Sequence, residues 1–209
     1  MLDRNEILAI FERFQNDSPN PQTELKYSST FTLLIAVLLS AQATDKMVNK
    51  ITENLFAVAD TPEKMIELGE EGIKKYIRSI NYFNNKAKNI FFISKILVDK
   101  YISEVPNTFE ELVSLPGIGV KSSNVILNTA FNHNRIAVDT HVFRVSNRVG
   151  LCKTNKPKET EKALLEAVPE KFLKNAHHWL VLHGRYICKA RKPLCKECKI
   201  KDLCIYYNS

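Results

Sequence analysis

The chain has no basic-then-apolar leader, no long apolar run, no stretch that alternates polar and apolar residues, no internal repeat and no low-complexity linker. Each of these absences excludes a class. It opens Met1-Leu2-Asp3-Arg4, so no secretory signal is expected and a reducing cytoplasm is the expected compartment. The longest apolar run, Phe31 to Leu39 with Thr32 inside it, is far shorter than the ~20 residues a membrane helix requires and predicts a buried core helix. Without period-two alternation a half-buried sheet has no support. What remains is an all-α protein whose 209 residues can bury a real core as one domain or two small ones.

Cysteine is also scarce, with five in all and a single Cys-x-x-Cys pair where a zinc ribbon would show two. Four of the five nevertheless fall within the last 22 residues, as Cys188-x6-Cys195-x2-Cys198-x5-Cys204. Thiolates are soft ligands, and four from one short segment suit Zn²⁺ or an iron–sulfur cluster. A reducing compartment disfavours the competing account, two disulfides. Spacing alone leaves the metal open, with iron–sulfur ahead of zinc. Cys152 lies outside the pattern and is expected to be a small buried residue. His177, His178 and His183 could be taken for a second metal site, but core or surface positions on a helix are the expected account.

The formal net charge is +7, from 30 Lys and Arg against 23 Asp and Glu. Between Arg185 and Asp202 stand seven basic residues and only two acids, Glu197 and Asp202. A polyanion partner is favoured over a small neutral ligand. The competing account is charge kept for solubility.

Helix starts are written plainly. Asp3 can cap a helix carrying Ile7, Leu8, Ile10, Phe11 and Phe14, which Ser18-Pro19-Asn20-Pro21 must end. Thr44 can cap a helix with Met47, Val48, Ile51, Leu55 and Phe56 on its apolar face, and Thr61-Pro62 supplies an N-cap and first-turn pair for the next. Asn84 and Asn85 are expected to precede a helix reaching about Tyr101. Asn107 or Thr108 opens Phe109 to Leu115, closed by Pro116. Further helices are expected over 120–131, 140–149, 158–168 and 171 to about 187.

Leu115-Pro116-Gly117-Ile118-Gly119 joins two of these helices through a turn that needs glycine. Such a turn can present the amides of Ile118 and Gly119 to a backbone phosphate at the start of the next helix, gripping nucleic acid without reading sequence. The alternative is a plain helix corner. Lys121 follows in the first helical turn, at the positive end of the macrodipole, which favours a neutral, nucleophilic amine; a solvated surface charge is the competing account. Asp139 stands between apolar Ile136-Ala137-Val138 and the helix from Thr140, so it is first an N-cap. A capping carboxylate is held rigidly, and it could also stabilise a cationic sugar or assist Lys121. Ser40-Ala41-Gln42-Ala43-Thr44-Asp45 forms a corner whose Gln42 could enter a gap in a duplex; a capped corner with no further role is the alternative.

Together these segments resemble the endonuclease III family of bifunctional DNA glycosylases, within the helix-hairpin-helix superfamily. The resemblance is carried by Leu39 to Asp45, Leu115 to Lys121, Val138 to Arg144, and His183-Gly184-Arg185-Tyr186 leading into the four cysteines. It implies two all-α domains with a discontinuous boundary: a six-helix barrel at 22–133, with the helix-hairpin-helix at about 109–131, and a second domain of 1–21 with 134–209. It implies a [4Fe-4S] cluster on Cys188, Cys195, Cys198 and Cys204, and a basic loop offering Lys189, Arg191 and Lys192 to DNA. It further implies that Lys121 is the Schiff-base lysine, Asp139 the catalytic aspartate meeting it across the domain boundary, and Gln42 the residue filling the hole of an extruded nucleotide. The partner would be damaged double-stranded DNA, bound by a monomer associated with the nucleoid. Substrates would be oxidised or ring-saturated pyrimidines and abasic sites.

Some positions depart from the family pattern. Asn81-Tyr82-Phe83-Asn84 stands where relatives commonly carry Gly-Leu-Tyr-Asn, so Tyr82 takes the wedge position. Val120 replaces a frequent basic residue, and Ser122-Ser123 stands for Thr and Ala. Two other functions compete with this one. A monofunctional adenine glycosylase would lack Lys121, carry a glutamate near Gln42 and continue into a further domain; this chain has no acid between Leu33 and Thr44 and ends five residues after Cys204. A non-catalytic DNA-binding metal module would bind duplex and never nick it.

Overall fold

The computed structural model describes residues 1–208, and every regular element among them is helical. Packing divides the chain into two compact units: Thr23–Phe131, and Met1–Gln22 together with the chain from Asn132 onward.

The unit Thr23–Phe131 holds six helices: α2 (Thr30–Ser40), α3 (Asp45–Val58), α4 (Pro62–Ile77), α5 (Phe83–Tyr101), α6 (Phe109–Ser114) and α7 (Val120–Phe131). Its centre is α2, where all nine residues from Phe31 to Leu39 are buried, Thr32 included. At roughly 1.5–3 kcal/mol for each large apolar side chain removed from water, this one helix is a major part of the unit's stability. Ser29 opens it, accepting the Thr32 amide while Thr32 Oγ1 takes the Ser29 amide at 2.8 Å. Thr44, Thr61 and Thr108 cap α3, α4 and α6 as their positions predict.

Two expectations are corrected. The helix expected after Asn84 and Asn85 begins at Phe83 and takes both inside it, because its N-cap is Tyr82 in left-handed backbone with no capping side chain. Met47, expected with Val48, Ile51, Leu55 and Phe56 on the apolar face of α3, is 40% exposed, whereas Val48 is fully buried as expected. Within α4, Gly69 takes φ +70° and kinks the helix, a break that only a residue without a Cβ accepts readily.

The other unit holds α1 (Arg4–Asp17), α8 (Thr140–Val149), α9 (Pro157–Ala167), α10 (Glu170–Tyr186), a 3₁₀ turn at Cys195–Glu197 and α11 (Ile205–Asn208). Asp3 and Glu6 form a reciprocal cap at the start of α1. An aromatic cluster joins α1 to α10: Phe11 stacks on Phe172 at 5.8 Å between ring centroids, and Trp179 packs edge-on to Phe172 at 5.9 Å while its indole donates to the Ser18 carbonyl. His177 and His178 are buried with their rings 5.1 Å apart, which makes them core histidines. Cys152 is likewise buried. α8 and α10 cross closely at Gly184, where an added Cβ would fall 2.8 Å from the Cβ of His141.

Candidate functional site

In the six-helix unit, the hairpin between α6 and α7 turns at Gly117, whose φ of +77° requires glycine or a strained residue. The Ile118 side chain is buried and anchors the turn, while Gly117 and Gly119 are exposed. Of the two amides expected to meet a phosphate, that of Ile118 donates to the Leu115 carbonyl at 3.1 Å and closes the turn. The Gly119 amide and the first amides of α7, which have no carbonyl one turn back to bond, are the donors suited to an anion. Lys121 is exposed in the first turn of α7, immediately beyond them.

The same unit carries Gln42 and Tyr82 at two exposed corners. Both hold left-handed backbone, Gln42 at φ 58° and Tyr82 at φ 59°. A side chain with a Cβ adopts that region at a cost of order 1 kcal/mol, and such strain concentrates where side chains must be aimed. Lys86, one turn into α5 from Tyr82, is only 7% exposed, and its ammonium donates to the carbonyls of Leu39 at 2.9 Å and Ala41 at 2.6 Å. Burial lowers the Lys86 pKa from the ordinary lysine value. Nothing in the local sequence marks this lysine, because its partners lie 45 and 47 residues away.

In the other unit, Asp139 caps α8 with one oxygen: Oδ1 accepts the amides of His141 at 2.8 Å and Val142 at 2.7 Å. Oδ2 takes no part in the cap, so the carboxylate is oriented by one oxygen and presents the other. Further along α8, two arginines hold the cysteine-bearing segment by its backbone. Arg144 donates to the carbonyls of Gly184 at 2.8 Å and Cys188 at 3.0 Å. Arg148 donates to those of Lys189 at 2.8 Å and Ala190 at 3.0 Å, and lies over the Tyr206 ring. The segment they pin exposes Lys189, Arg191 and Lys192, the last with φ 51°. Their place four residues apart on one helix could have suggested a joint role, but not what they would hold.

None of the four clustered cysteines forms a disulfide, and all four line one pocket of about 320 Å³, counting its part open to solvent, together with Val149, His183, Pro193 and Tyr206. Among the described residues no three His, Cys, Asp or Glu side chains are arranged to hold a single metal ion. Burial raises the pKa of Cys198 and Cys204, and the neighbouring thiolates add to the shift. His183 lies 3.7 Å from Cys198 Sγ by its Nε2, and burial pushes its imidazole down to about 4. Four sulfur donors set around a common volume, with no carboxylate among them, fit a thiolate-held cluster.

Residues 35–170 match the HhH-GPD superfamily of base excision DNA repair proteins. The chain is similar to Endonuclease III of Rickettsia felis, with 59% identity over 200 residues covering 96% of this chain and 94% of that protein. It is also similar to a solved non-covalent Endonuclease III–DNA complex, at TM-score 0.91 and 42% identity over 100% of this chain and 98% of that one. A trapped Endonuclease III–DNA covalent intermediate matches at TM-score 0.90 and 41% identity, again over 100% and 98%. No helix among the described residues is long and apolar enough to cross a membrane.

Proposed function

Because the chain belongs to the endonuclease III family of base excision DNA glycosylases and abasic-site lyases, we propose that Lys121 is its nucleophile and Asp139 the carboxylate that supports it. The substrates are oxidised or ring-saturated pyrimidines in duplex DNA and abasic sites. A base inside a duplex is out of reach, so the nucleotide is extruded, and damage that weakens stacking lowers the cost. Gln42 fills the space left in the stack and Tyr82 wedges it open. The Lys121 amine then attacks C1′, the base departs with the glycosidic electrons, and loss of a proton from nitrogen and opening of the sugar leave an imine. Abstraction of a C2′ proton expels the 3′ phosphate by β-elimination and nicks the strand. Asp139 stabilises the positive charge that develops on the sugar and takes part in the proton transfers at Lys121.

The observation that carries this assignment is the position of Lys121: an exposed lysine in the first turn of a helix that starts at a tight glycine hairpin. Backbone amides grip phosphate there without needing the lysine, which leaves its amine for chemistry. A capped carboxylate with one oxygen uncommitted to the cap supports the role of Asp139. Cys188, Cys195, Cys198 and Cys204 would hold a [4Fe-4S] cluster, which when bound cross-links the basic segment. Lys189, Arg191 and Lys192 bind the duplex backbone by charge, and the protein acts as a monomer. The test is a nicking assay on abasic and thymine-glycol duplexes. Lys121→Gln should abolish nicking on both while duplex affinity stays within about threefold; nicking by that variant at wild-type rate would refute the assignment.

A further inference from the structure

Three exposed elements of the six-helix unit meet one face of α5. Tyr82 caps it, its carbonyl accepting the Lys86 amide at 3.0 Å as the first hydrogen bond of the helix. Lys86 reaches the corner that carries Gln42, through the carbonyls of Leu39 and Ala41. Asn89 lies against the hairpin, where a Cβ on Gly117 would fall 2.3 Å from its Nδ2. Positions 86 and 89 are spaced i, i+3, which sets them on one side of the helix, and Tyr82 stands at its start.

The hydrogen bonds made by Lys86 complete the end of α2. Its last carbonyls have no further helical turn to serve them, and each is met otherwise: Val37 by the Ser40 hydroxyl at 2.8 Å, Leu38 by the Ala41 amide at 3.5 Å, Ser40 by the Ala43 amide at 3.1 Å. Leu39 and Ala41 are left, and Lys86 takes both. A cation at the carbonyl end of a helix also faces the negative end of its dipole, and α2 is apolar along its whole length, so this field is little screened. Ala41 is the residue before Gln42. Fixing its carbonyl fixes the peptide that leads into the left-handed backbone of Gln42.

We propose that Lys86 is a positioning residue for base removal: by clamping the Leu39 and Ala41 carbonyls to α5, it holds the Gln42 corner in register with the Tyr82 turn, so that the two residues enter a duplex as one unit. A lysine whose only task was to close α2 would affect both substrates of the enzyme alike. One that sets the aim of Gln42 matters most where a base must be displaced, and least at a ready-made abasic site. This inference rests on the assignment of Gln42 to the gap in the stack, and the experiment separates the two.

Single-turnover rates of base release from a thymine-glycol duplex and of nicking at a preformed abasic site are measured for Gln42→Ala, Lys86→Met and the double variant. Lys86→Met keeps the length of the stem and removes the donors. It should lower base release at least tenfold more than it lowers abasic nicking, and the double variant should be no more than about twofold worse than the worse single one, because both changes disable one device. Equal losses on the two substrates for Lys86→Met, or losses that multiply in the double variant, overturn the positioning role. If Gln42→Ala itself loses both activities equally, the gap-filling assignment fails first and is recognised separately. Should Lys86→Met give no cooperative melt, Lys86→Gln, which keeps a neutral donor, replaces it under the same two criteria.

Discussion

Replacing Asp139 by asparagine separates the helix cap its carboxylate forms from the catalytic role proposed for it. Its Oδ1 accepts two amides, those of His141 and Val142, at 2.8 and 2.7 Å. Losing such a cap altogether costs about 1 kcal/mol, within a range of roughly 0.5–2, whereas asparagine keeps an acceptor in the same place and caps about as well. Asp139→Asn should therefore change the free energy of unfolding by a few tenths of a kcal/mol, and Asp139→Ala by about 1 kcal/mol. Activity should follow charge instead. Asp139→Asn is expected to slow abasic nicking at least tenfold, equivalent to about 1.4 kcal/mol of transition-state stabilisation. Urea denaturation supplies the first quantity and single-turnover nicking the second. If Asp139→Asn is fully active, the charge has no part in catalysis; if it destabilises as much as Asp139→Ala, asparagine does not replace the cap.

Other outcomes are equally specific. The purified protein should be brown and contain about four irons and four sulfides per chain; stoichiometric zinc without visible absorption would overturn the cluster, and Cys198→Ala should weaken duplex binding because metal and fold of that segment are linked. Charge removal at Lys189, Arg191 or Lys192 should weaken all duplex sequences alike and reduce the salt dependence of log K by about 0.9 for each phosphate no longer neutralised; weakening confined to one sequence would contradict a backbone role. Burial pushes His178 down to about 4 from an ordinary 6.5, so the unfolded chain takes up the proton first as pH falls. Its contribution is complete above pH 6.5 and is lost as pH falls toward 4, by about 2 kcal/mol between pH 7 and 5. Urea titrations should show His178→Asn less acid-sensitive than wild type by that order, and parallel curves would refute it.

Much of the architecture is legible because helix ends are local events. Asp3, Thr44, Thr61, Thr108 and Asp139 each cap through an amide two or three residues on, and proline breaks the chain where it must. The cysteine spacing, the hairpin glycines and Lys121 are likewise visible within short windows. What escapes is long-range. Lys86 stands among asparagines and gives every local sign of a solvated charge, yet carbonyls 45 and 47 residues away bury it. Arg144 and Arg148 hold carbonyls at 184, 188, 189 and 190 that no helical pattern pairs with them. The start of α5 differs from its expected place because Tyr82 begins it by backbone conformation and not by a capping side chain. The positive φ of Gln42, Tyr82 and Lys192 leaves no trace in residue type, since none of the three favours that region.

The central claim is that the amine of Lys121 becomes covalently joined to C1′ of the damaged nucleotide. Incubation with a thymine-glycol duplex and borohydride, followed by proteolysis and mass spectrometry of the trapped adduct, tests it directly. The account predicts a reduced sugar remnant on Lys121 alone, and no adduct from Lys121→Gln. A remnant on any other residue, or an undiminished adduct from Lys121→Gln, would contradict it.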